Sequence, residues 1–419
     1  MFPIFDFLPL VLTSFFSILG KAVFWIPLII VGLLYRKMTK TSLYLFGTPG
    51  ESPWRLTLIA ALFGLLGGFL GSCLLIFIGI SVNEIGGIYL LLTALGLMLI
   101  QQRFLCFAYA GGVLSLCSLI LGFPQINVPQ VMALVAVLHL VEALLIYFTG
   151  SIAVLPVYVA TKEGRIVGGY NLQKFWPMPL IVLFAGVYPD PEIIKGIVSM
   201  PEWWPLLKPS FTVLEGEMVY SLLAIPAVLG YGDVAISLTP REKTRLAGWE
   251  LAGYSVLLLF LAIGASYDPF LAYPAALFGP LGHELVIYLG RKREASQEPI
   301  FVSSTRGIKL LYVQRKSPLA KVGVKAGDIL LTLNGVAIHE NRESREVIAG
   351  LPEGTTTLEL EYLAAANGEQ KKVVVEIEKG DSLGYIPVPE WHTGAYLQVA
   401  TSVSPLKNWW KKLVKRFKA

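Results

Sequence analysis

Two histidines and two acidic residues in apolar segments are the side chains that could hold a metal ion. His283-Glu284 begins an H-E-x-x-H pattern, which in membrane-embedded proteases supplies two zinc ligands and a general base. Position 287 is an isoleucine, so the second histidine ligand is missing. His139 and Glu142 could reach His283 only through the fold. The sequence therefore predicts no metal and no cofactor, with His283 and Glu284 hydrogen-bonded at a helix end near the cytoplasmic face.

A second acidic motif, Gly230-Tyr231-Gly232-Asp233, matches the G-x-G-D sequence of intramembrane aspartyl proteases. Tyr267-Asp268 matches the Tyr-Asp sequence of one branch of that class, and two carboxylates that share a proton could do acid–base chemistry. The motifs occur in the reverse of that class's order, and Asp268 falls in a predicted helix break. We predict no catalytic residue and a protein that is not an enzyme. An intramembrane protease of zinc or aspartyl type, or a protein that presents substrates to one, is the alternative.

The composition indicates that most of the chain is solvated by lipid. Of its 419 residues, 55% are hydrophobic and 15% are charged, whereas soluble domains carry about 25% charged residues. Residues 1–293 are predicted to form a transmembrane helical domain, with the lipid bilayer as partner. The net charge of +5 is too small to indicate nucleic-acid binding. Cys73, Cys106 and Cys117 lie in apolar runs without paired spacing, and we interpret them as packing residues.

The apolar runs predict a multi-pass protein. A crossing helix needs about 20 apolar residues, and candidate spans lie near 8–34, 56–82, 87–101, 104–122, 131–148, 175–188, 218–238, 249–266 and 270–290. We predict eight or nine crossings. Lys21 could split the first span, and the third and sixth are short enough to be re-entrant or interfacial.

Basic residues predict the orientation, because positively charged loops stay in the cytoplasm. They cluster at 36–40, 103, 162–174, 241–245 and 291–293. All of these clusters fall on one side of the membrane if the run 249–290 breaks at 267–269. Proline breaks helices and an aspartate is costly in mid-bilayer. We therefore predict that break and a cytoplasmic C-terminal domain.

The second candidate span carries a glycine face. Gly64, Gly67, Gly68 and Gly71 form two overlapping G-x-x-x-G pairs, and such faces let helix backbones approach closely. We expect this face to pack within the bundle, with the seam of a homo-oligomer as the alternative.

The C-terminal region contains a run of turn and strand signals from Ser317 to Gly335. Gly323 suits the position after a helix end, Gly327-Asp328 suits a tight turn into an alternating strand, and Asn334-Gly335 is a strong hairpin signal. This run resembles the bacterial PDZ signature of protease-associated modules. The predicted fold class is a polytopic α-helical membrane protein with a C-terminal mixed β/α PDZ domain at 298–378.

PDZ domains bind a peptide or C-terminal segment by adding it as a strand to a sheet edge, and backbone amides hold its carboxylate. The resemblance places the carboxylate loop at Arg306, Gly307, Ile308 and Lys309. The following strand should be the open edge, and a helix carrying Val347 and Ile348 should form the opposite wall. A PDZ domain that serves only as a rigid spacer is the alternative.

The chain after the PDZ domain is predicted to form an extended connector at 379–404 and a basic amphipathic tail at 405–419. On a helix, the aromatic residues of the tail share one face and its lysines occupy the rest, which is typical of a membrane-surface helix. A solvated tail is the alternative. The predicted membrane-surface residues are Trp409, Trp410, Lys411, Lys412 and Phe417.

Four stretches together resemble the MinJ family of Gram-positive bacteria, multi-span proteins with one C-terminal PDZ domain. They are residues 155–159, 164–180, 230–233 and 282–292. In that family the incomplete His-Glu pattern directly precedes the PDZ domain, which accounts for the pattern without catalysis.

MinJ proteins are topological determinants of cell division that link the curvature-sensing protein DivIVA to the membrane ATPase MinD. The resemblance therefore implies a membrane scaffold whose partners are a DivIVA-like landmark protein and a MinD-like ATPase. It also implies a multi-pass protein of the cell membrane that is enriched at the division septum and poles.

Overall fold

The computed structural model describes residues 3–47, 51–161, 164–188, 198–210, 217–378 and 381–390. Its membrane-type helices are α1 (Ile4–Leu19), α2 (Ala22–Phe46), α3 (Pro53–Ile78), α4 (Gly87–Ile100), α5 (Phe107–Leu121), α6 (Val128–Thr149), α7 (Pro240–Tyr267) and α8 (Ala272–Ser296). Five of these described helices, α2, α3, α6, α7 and α8 with the turn before it, are long and apolar enough to cross a membrane. The described apolar helices α1, α4 and α5 are shorter, and the number of crossings stays a prediction.

Two predicted helix breaks are confirmed. The first span divides at Gly20-Lys21 into α1 and α2. α7 ends at Tyr267, and a 3₁₀ turn at Pro269–Leu271 leads into α8. The Asp268 carboxylate caps this turn by accepting the N–H of Phe270 at 3.0 Å. It therefore stabilises the junction between α7 and α8.

The predicted spans near 175–188 and 218–238 are wrong, because these segments form a two-stranded antiparallel ribbon. Strands β3 (Lys174–Tyr188) and β4 (Glu217–Tyr231) pair without a register shift. β3 contains Pro177 and Pro179, β4 contains Pro226, and Pro179 pairs with Pro226. A continuous apolar run has no period that separates a buried strand from a buried helix. Proline disfavours the helix interior. The prolines of these segments therefore argue against helices, although the lengths of the apolar runs suggest membrane spans.

The glycine face of α3 packs within the molecule, as predicted. A Cβ atom at Gly64 would lie 2.1 Å from the carbonyl oxygen of Pro177 in β3, and one at Gly68 would lie 2.3 Å from that of Pro179. A Cβ at Gly67 would lie 2.9 Å from Leu145 Cδ1 of α6, and one at Gly71 would lie 3.3 Å from Leu180 of β3 and 3.4 Å from Val141 of α6. Only glycine allows the β3–β4 ribbon and α6 to approach α3 this closely.

A second, smaller sheet lies between the helices and the C-terminal domain. Its strands are β1 (Leu155–Ala160), β2 (Ile166–Asn171) and β5 (Val234–Ala235), in the order β1-β2-β5. β5 follows the G-x-G-D motif directly and precedes α7. This sheet therefore connects the helical region to the part of the chain that carries the PDZ signature.

The C-terminal domain is a sheet flanked by two short helices. Its elements are β6 (Ile308–Val313), α9 (Pro318–Lys321), β7 (Ile329–Leu333), β8 (Val336–Ala337), α10 (Asn341–Ala349), β9 (Thr355–Leu363), β10 (Gln370–Glu378) and β11 (Tyr385–Pro387). The strand order is β10-β9-β7-β6-β11, with β8 paired to β7. β11 lies inside the predicted connector at 379–404, so the domain extends beyond residue 378. Residues 391–419, and with them the predicted basic tail, lie outside the described part of the chain.

Candidate functional site

Two polar residues of the PDZ signature stabilise turns of the domain by accepting backbone hydrogen bonds. Ser317 caps α9 by accepting the N–H of Ala320 at 3.2 Å. The buried Asp328 accepts the N–H of Lys325 at 2.8 Å and that of Ala365 at 2.9 Å. Two turns of the domain are thereby tied to one carboxylate, which explains why a Gly-Asp pair precedes β7.

The predicted carboxylate loop is displaced from the open edge of the sheet. β6 pairs with β7 on one side and with β11 on the other, so the expected open edge is occupied. Ile308 is buried in the domain core, and a Cβ at Gly307 would lie 2.1 Å from the carbonyl oxygen of Leu330. Lys309 Nζ donates to the carbonyl oxygen of Ile300 at 2.7 Å. Because Ile308 and Lys309 have partners within the chain, we look for the peptide edge at β11, and the loop at Arg306–Lys309 stays a prediction.

β11 is one of the two edge strands of the sheet, β10 being the other, and within the described residues β11 pairs only with β6. The turn before β11 depends on Gly384, whose φ is +73° and whose Cβ, if present, would lie 2.3 Å from that of Ser317. Leu383 before it is buried in the core. The Gly384 N–H of this turn donates to Ser382 Oγ at 3.1 Å. The sequence signal was Leu383-Gly384-Tyr385, which lay outside the boundaries predicted for the domain.

Helix α10 lies beside β11. The hydroxyl of Tyr385 lies 2.9 Å from both Asn341 Oδ1 and Ser344 Oγ of α10. Burial raises the pKa of Tyr385 to about 12 against the opposing effect of the Ser344 hydrogen bond, so the hydroxyl remains a neutral donor. Val347 and Ile348 are half-buried and pack against the domain core. Both residues lie on the helix beside β11, and their contact with a peptide stays a prediction.

The domain is docked on the small sheet β1-β2-β5. The hydroxyl of Tyr158 donates to the carbonyl oxygen of Pro387 at 2.8 Å, and that of Tyr170 donates to the carbonyl oxygen of Leu311. Ile386 and Phe301 belong to the apolar cluster that these tyrosines share. The edge strand is thus attached directly to the membrane-side sheet.

The G-x-G-D motif contributes to a buried ion-pair network. The Lys243 ammonium, whose side chain is 4% exposed, lies 2.7 Å from Glu294 and 3.3 Å from Asp233. Glu294 also accepts the backbone N–H of Ser237 at 2.6 Å. These contacts bring together the start of α7, the end of α8 and the strand β5.

Asp233 and Asp268 do not form a carboxylate pair. Asp233 contacts Lys243 near the start of α7, whereas Asp268 follows the last residue of that helix. The intervening helix is roughly 36 Å long at 1.5 Å per residue. Two carboxylates this far apart cannot share a proton, so the geometry does not support aspartyl chemistry by this pair.

His283 and Glu284 lie in the middle of α8, which corrects the predicted position at a helix end. Glu284 forms an ion pair with Arg103 at 2.7 Å and accepts the hydroxyl of Tyr109 at 2.6 Å. Arg103 belongs to the 3₁₀ turn Gln102–Leu105 between α4 and α5. Arg103 was predicted to lie in a cytoplasmic loop, but here it pairs with Glu284 in the middle of α8.

His283 meets His139 and Cys106 beside this ion pair. Cys106 Sγ lies 3.0 Å from His139 Nε2 and 3.8 Å from His283 Nε2. The Nδ1 of His139 lies 2.7 Å from the carbonyl oxygen of Val135 and must donate to it. Three potential metal-ligating atoms from distant parts of the chain therefore lie together. The sequence alone showed only the incomplete H-E-x-x-H pattern at His283.

Comparison with known proteins gives two findings that agree with this architecture. The sequence profile of the PDZ domain family matches residues 296–377. The chain is 23% identical over 293 residues to the cell division topological determinant MinJ of Bacillus subtilis (strain 168), across 66% of this chain and 69% of that protein. The chain is a MinJ-like PDZ protein. This MinJ-like assignment favours a protein that is not an enzyme.

A solved PDZ domain, that of the SdrC-like protein from Listeria monocytogenes, is 18% identical to this MinJ-like protein. The comparison covers 20% of this chain and 92% of the solved domain, with a TM-score of 0.17. A score this low carries no argument about the fold. The domain assignment rests on the family profile and on the strand order described above.

Proposed function

We propose that this MinJ-like protein is a membrane-anchored PDZ adaptor of cell division and that the groove between β11 and α10 binds an extended peptide. The observation that carries the proposal is the edge of β11, which is unpaired on one side within the described residues and lies beside α10. PDZ domains add peptides to such an edge, where backbone hydrogen bonds give affinity and side-chain pockets give specificity.

The attachment of the groove to the membrane anchor supports an adaptor role. Tyr158 bonds to Pro387 of the edge strand, and Ile386 of that strand is buried against the small sheet. A groove held in this way has a restricted position relative to the membrane. A partner that also binds the bilayer then meets it at a high effective concentration, so neither contact needs to be tight.

The proposed partners are a DivIVA-like landmark protein and a MinD-like ATPase, by similarity to the MinJ family. The predicted basic tail at 405–419 would add a second contact with an anionic membrane surface. A second copy of the chain is a further candidate partner. The protein would gather at division sites and poles and recruit the ATPase there.

Deletion of the chain tests the division role. We expect the MinD-like ATPase to leave division sites, with filamentous cells or misplaced septa, because its link to the membrane landmark is lost. Deletion of 298–390 alone should reduce recruitment while the anchor stays in the membrane. Fluorescence imaging of the ATPase and measurement of cell length give both results. Unchanged placement and cell length after the full deletion would show that this lineage uses the scaffold for another purpose.

The proposed orientation places the PDZ domain in the cytoplasm. It is supported by the ion pair of Lys243 with Glu294, which brings the basic segments 241–245 and 291–293 to the same end of the α7–α8 hairpin. A reporter fused after Ala419 should be active only if it is of the cytoplasmic type. Activity of a reporter that works only outside the cytoplasm would reverse the orientation.

A further inference from the structure

We propose that Cys106, His139 and His283 form a binding site for a zinc-class transition metal ion inside the helical bundle. The three side chains come from three elements: Cys106 directly precedes α5, His139 lies on α6 and His283 lies on α8. Their ligating atoms all lie within 4.8 Å of one another. No local sequence pattern joins them, because 33 and 144 residues separate the neighbours along the chain.

The distances suit tetrahedral zinc. Bond lengths of about 2.3 Å to sulfur and about 2.05 Å to nitrogen give a sulfur–nitrogen edge of roughly 3.6 Å. The observed distances from Cys106 Sγ are 3.0 Å to His139 Nε2 and 3.8 Å to His283 Nε2. Small side-chain rotations bring both to that value. One thiolate and two imidazoles are also a donor set that selects zinc over magnesium or calcium.

The groups around His139 and Cys106 prepare them as ligands. The bond from His139 Nδ1 to the carbonyl oxygen of Val135 fixes the tautomer, so that Nε2 presents its lone pair to the site. The N–H of Ala108, in the first turn of α5, donates to Cys106 Sγ at 3.4 Å. Nδ1 of His283 is buried without a hydrogen-bond partner, which leaves this ring uncommitted.

The rings of Tyr109 and Tyr254 enclose the site. Tyr109 stands edge-on to His283 at 5.3 Å between ring centroids, and Tyr254 stands edge-on to His139 at 5.7 Å. Glu284, next to His283, is held by Arg103 and Tyr109. Its carboxylate is therefore committed to these neighbours, and the ion is proposed to have a structural role.

The structural role follows from the lengths of α4 and α5. With 14 and 15 residues, each is about 21–23 Å long and too short to cross a bilayer of about 30 Å. The turn between them ends level with the middle of α6 and α8, where His139 and His283 lie. A metal ion bound there would fasten this short hairpin to the two long helices.

Metal analysis of the full-length protein, purified in detergent without chelator, tests the site. We expect about one zinc ion per chain by mass spectrometry, since a three-ligand set with one thiolate retains zinc through purification. Cobalt added after removal of zinc should give a sulfur-to-cobalt charge-transfer band. Cys106→Ser and His283→Gln should each reduce bound zinc to near zero. The matched controls are Cys117→Ser and His339→Gln, which change the same residue types outside the cluster and should retain zinc.

The cobalt measurement uses the native sequence, so it does not depend on whether the variants fold. A native protein without zinc and without the charge-transfer band on cobalt titration would overturn the proposal. Zinc that persists in Cys106→Ser, or that is lost equally in the two controls, would also overturn it. The cluster would then be a thiol that donates a hydrogen bond to His139 Nε2.

Discussion

The hydroxyl of Tyr158 and the carbonyl oxygen of Pro387 are joined by a hydrogen bond of 2.8 Å, although 229 residues separate them in the chain. Tyr158 belongs to the sheet that continues from α6, and Pro387 belongs to the edge strand of the PDZ domain. This bond therefore connects the membrane-side part of the molecule with the strand to which we propose that a peptide is added.

The Tyr158→Phe substitution should loosen this docking without unfolding either part. Loss of one hydrogen bond costs about 1 kcal/mol, or roughly fivefold in the local opening equilibrium. We expect faster hydrogen exchange of the amides of 383–388, measured by mass spectrometry of the full chain. Tyr44→Phe removes the same hydroxyl from an exposed ring and should leave this exchange unchanged. Equal exchange in all three proteins would mean that the bond does not restrain β11.

Gly384→Ala should destabilise the PDZ domain more than Gly354→Ala. Both glycines have positive φ, +73° and +93°, so each substitution carries a similar backbone penalty of about 1 kcal/mol. Only at Gly384 would the new Cβ meet another atom, Ser317 Cβ at 2.3 Å, whereas nothing lies within 4 Å at Gly354. Thermal unfolding of the full-length protein should show the larger decrease for Gly384→Ala. Equal decreases would remove the argument that this turn is sterically fixed.

Val347→Ala should weaken peptide binding while the domain stays folded. The substitution removes two methyl groups from the half-buried wall of the groove, which corresponds to about 1.5 kcal/mol, or roughly tenfold in Kd, if a peptide covers them fully. The probe is a peptide selected from a C-terminal display library on the full chain, and fluorescence anisotropy gives Kd. Val374→Ala is the matched control because Val374 is exposed on β10. A Kd that responds equally to both would place recognition on another surface.

Ile308→Ala separates stability from binding in the same domain. Ile308 is buried in the core, so its truncation should lower the free energy of unfolding by about 2–5 kcal/mol. Peptide affinity of the molecules that remain folded should be unchanged, as judged by binding at a temperature well below the unfolding transition. A folded Ile308→Ala protein with specifically weakened affinity would restore the carboxylate loop predicted from the sequence at Arg306–Lys309.

Lys243→Met should destabilise the junction between β5, α7 and α8. Removing the ammonium leaves the Glu294 carboxylate, 11% exposed, without its countercharge, and breaking a buried ion pair costs about 3–5 kcal/mol. Thermal unfolding of the protein in detergent measures the loss. Adding Glu294→Gln should recover part of it. The exposed Lys316→Met is the control and should have no measurable effect.

Local patterns determined much of this architecture. The PDZ signature from Ser317 to Gly335, the break at 267–269 and the glycine face of α3 were all readable, because each depends on neighbouring residues or on a helical period. Even there, Gly384 and β11 were missed, since a three-residue strand carries almost no pattern of its own.

The features that were missed depend on contacts between distant segments. The β3–β4 ribbon has the composition of two spans, and only pairing across 15 positions of each strand distinguishes it from helices. The occupation of the β6 edge by β11 joins residues about 75 positions apart. Cys106, His139 and His283 converge because a short helical hairpin ends midway along two longer helices. The sequence by itself determined most of the helices, their breaks and the turns of the PDZ signature. The tertiary structure decided that β3 and β4 pair as a ribbon and which distant residues meet, because long-range pairing leaves no local period to read.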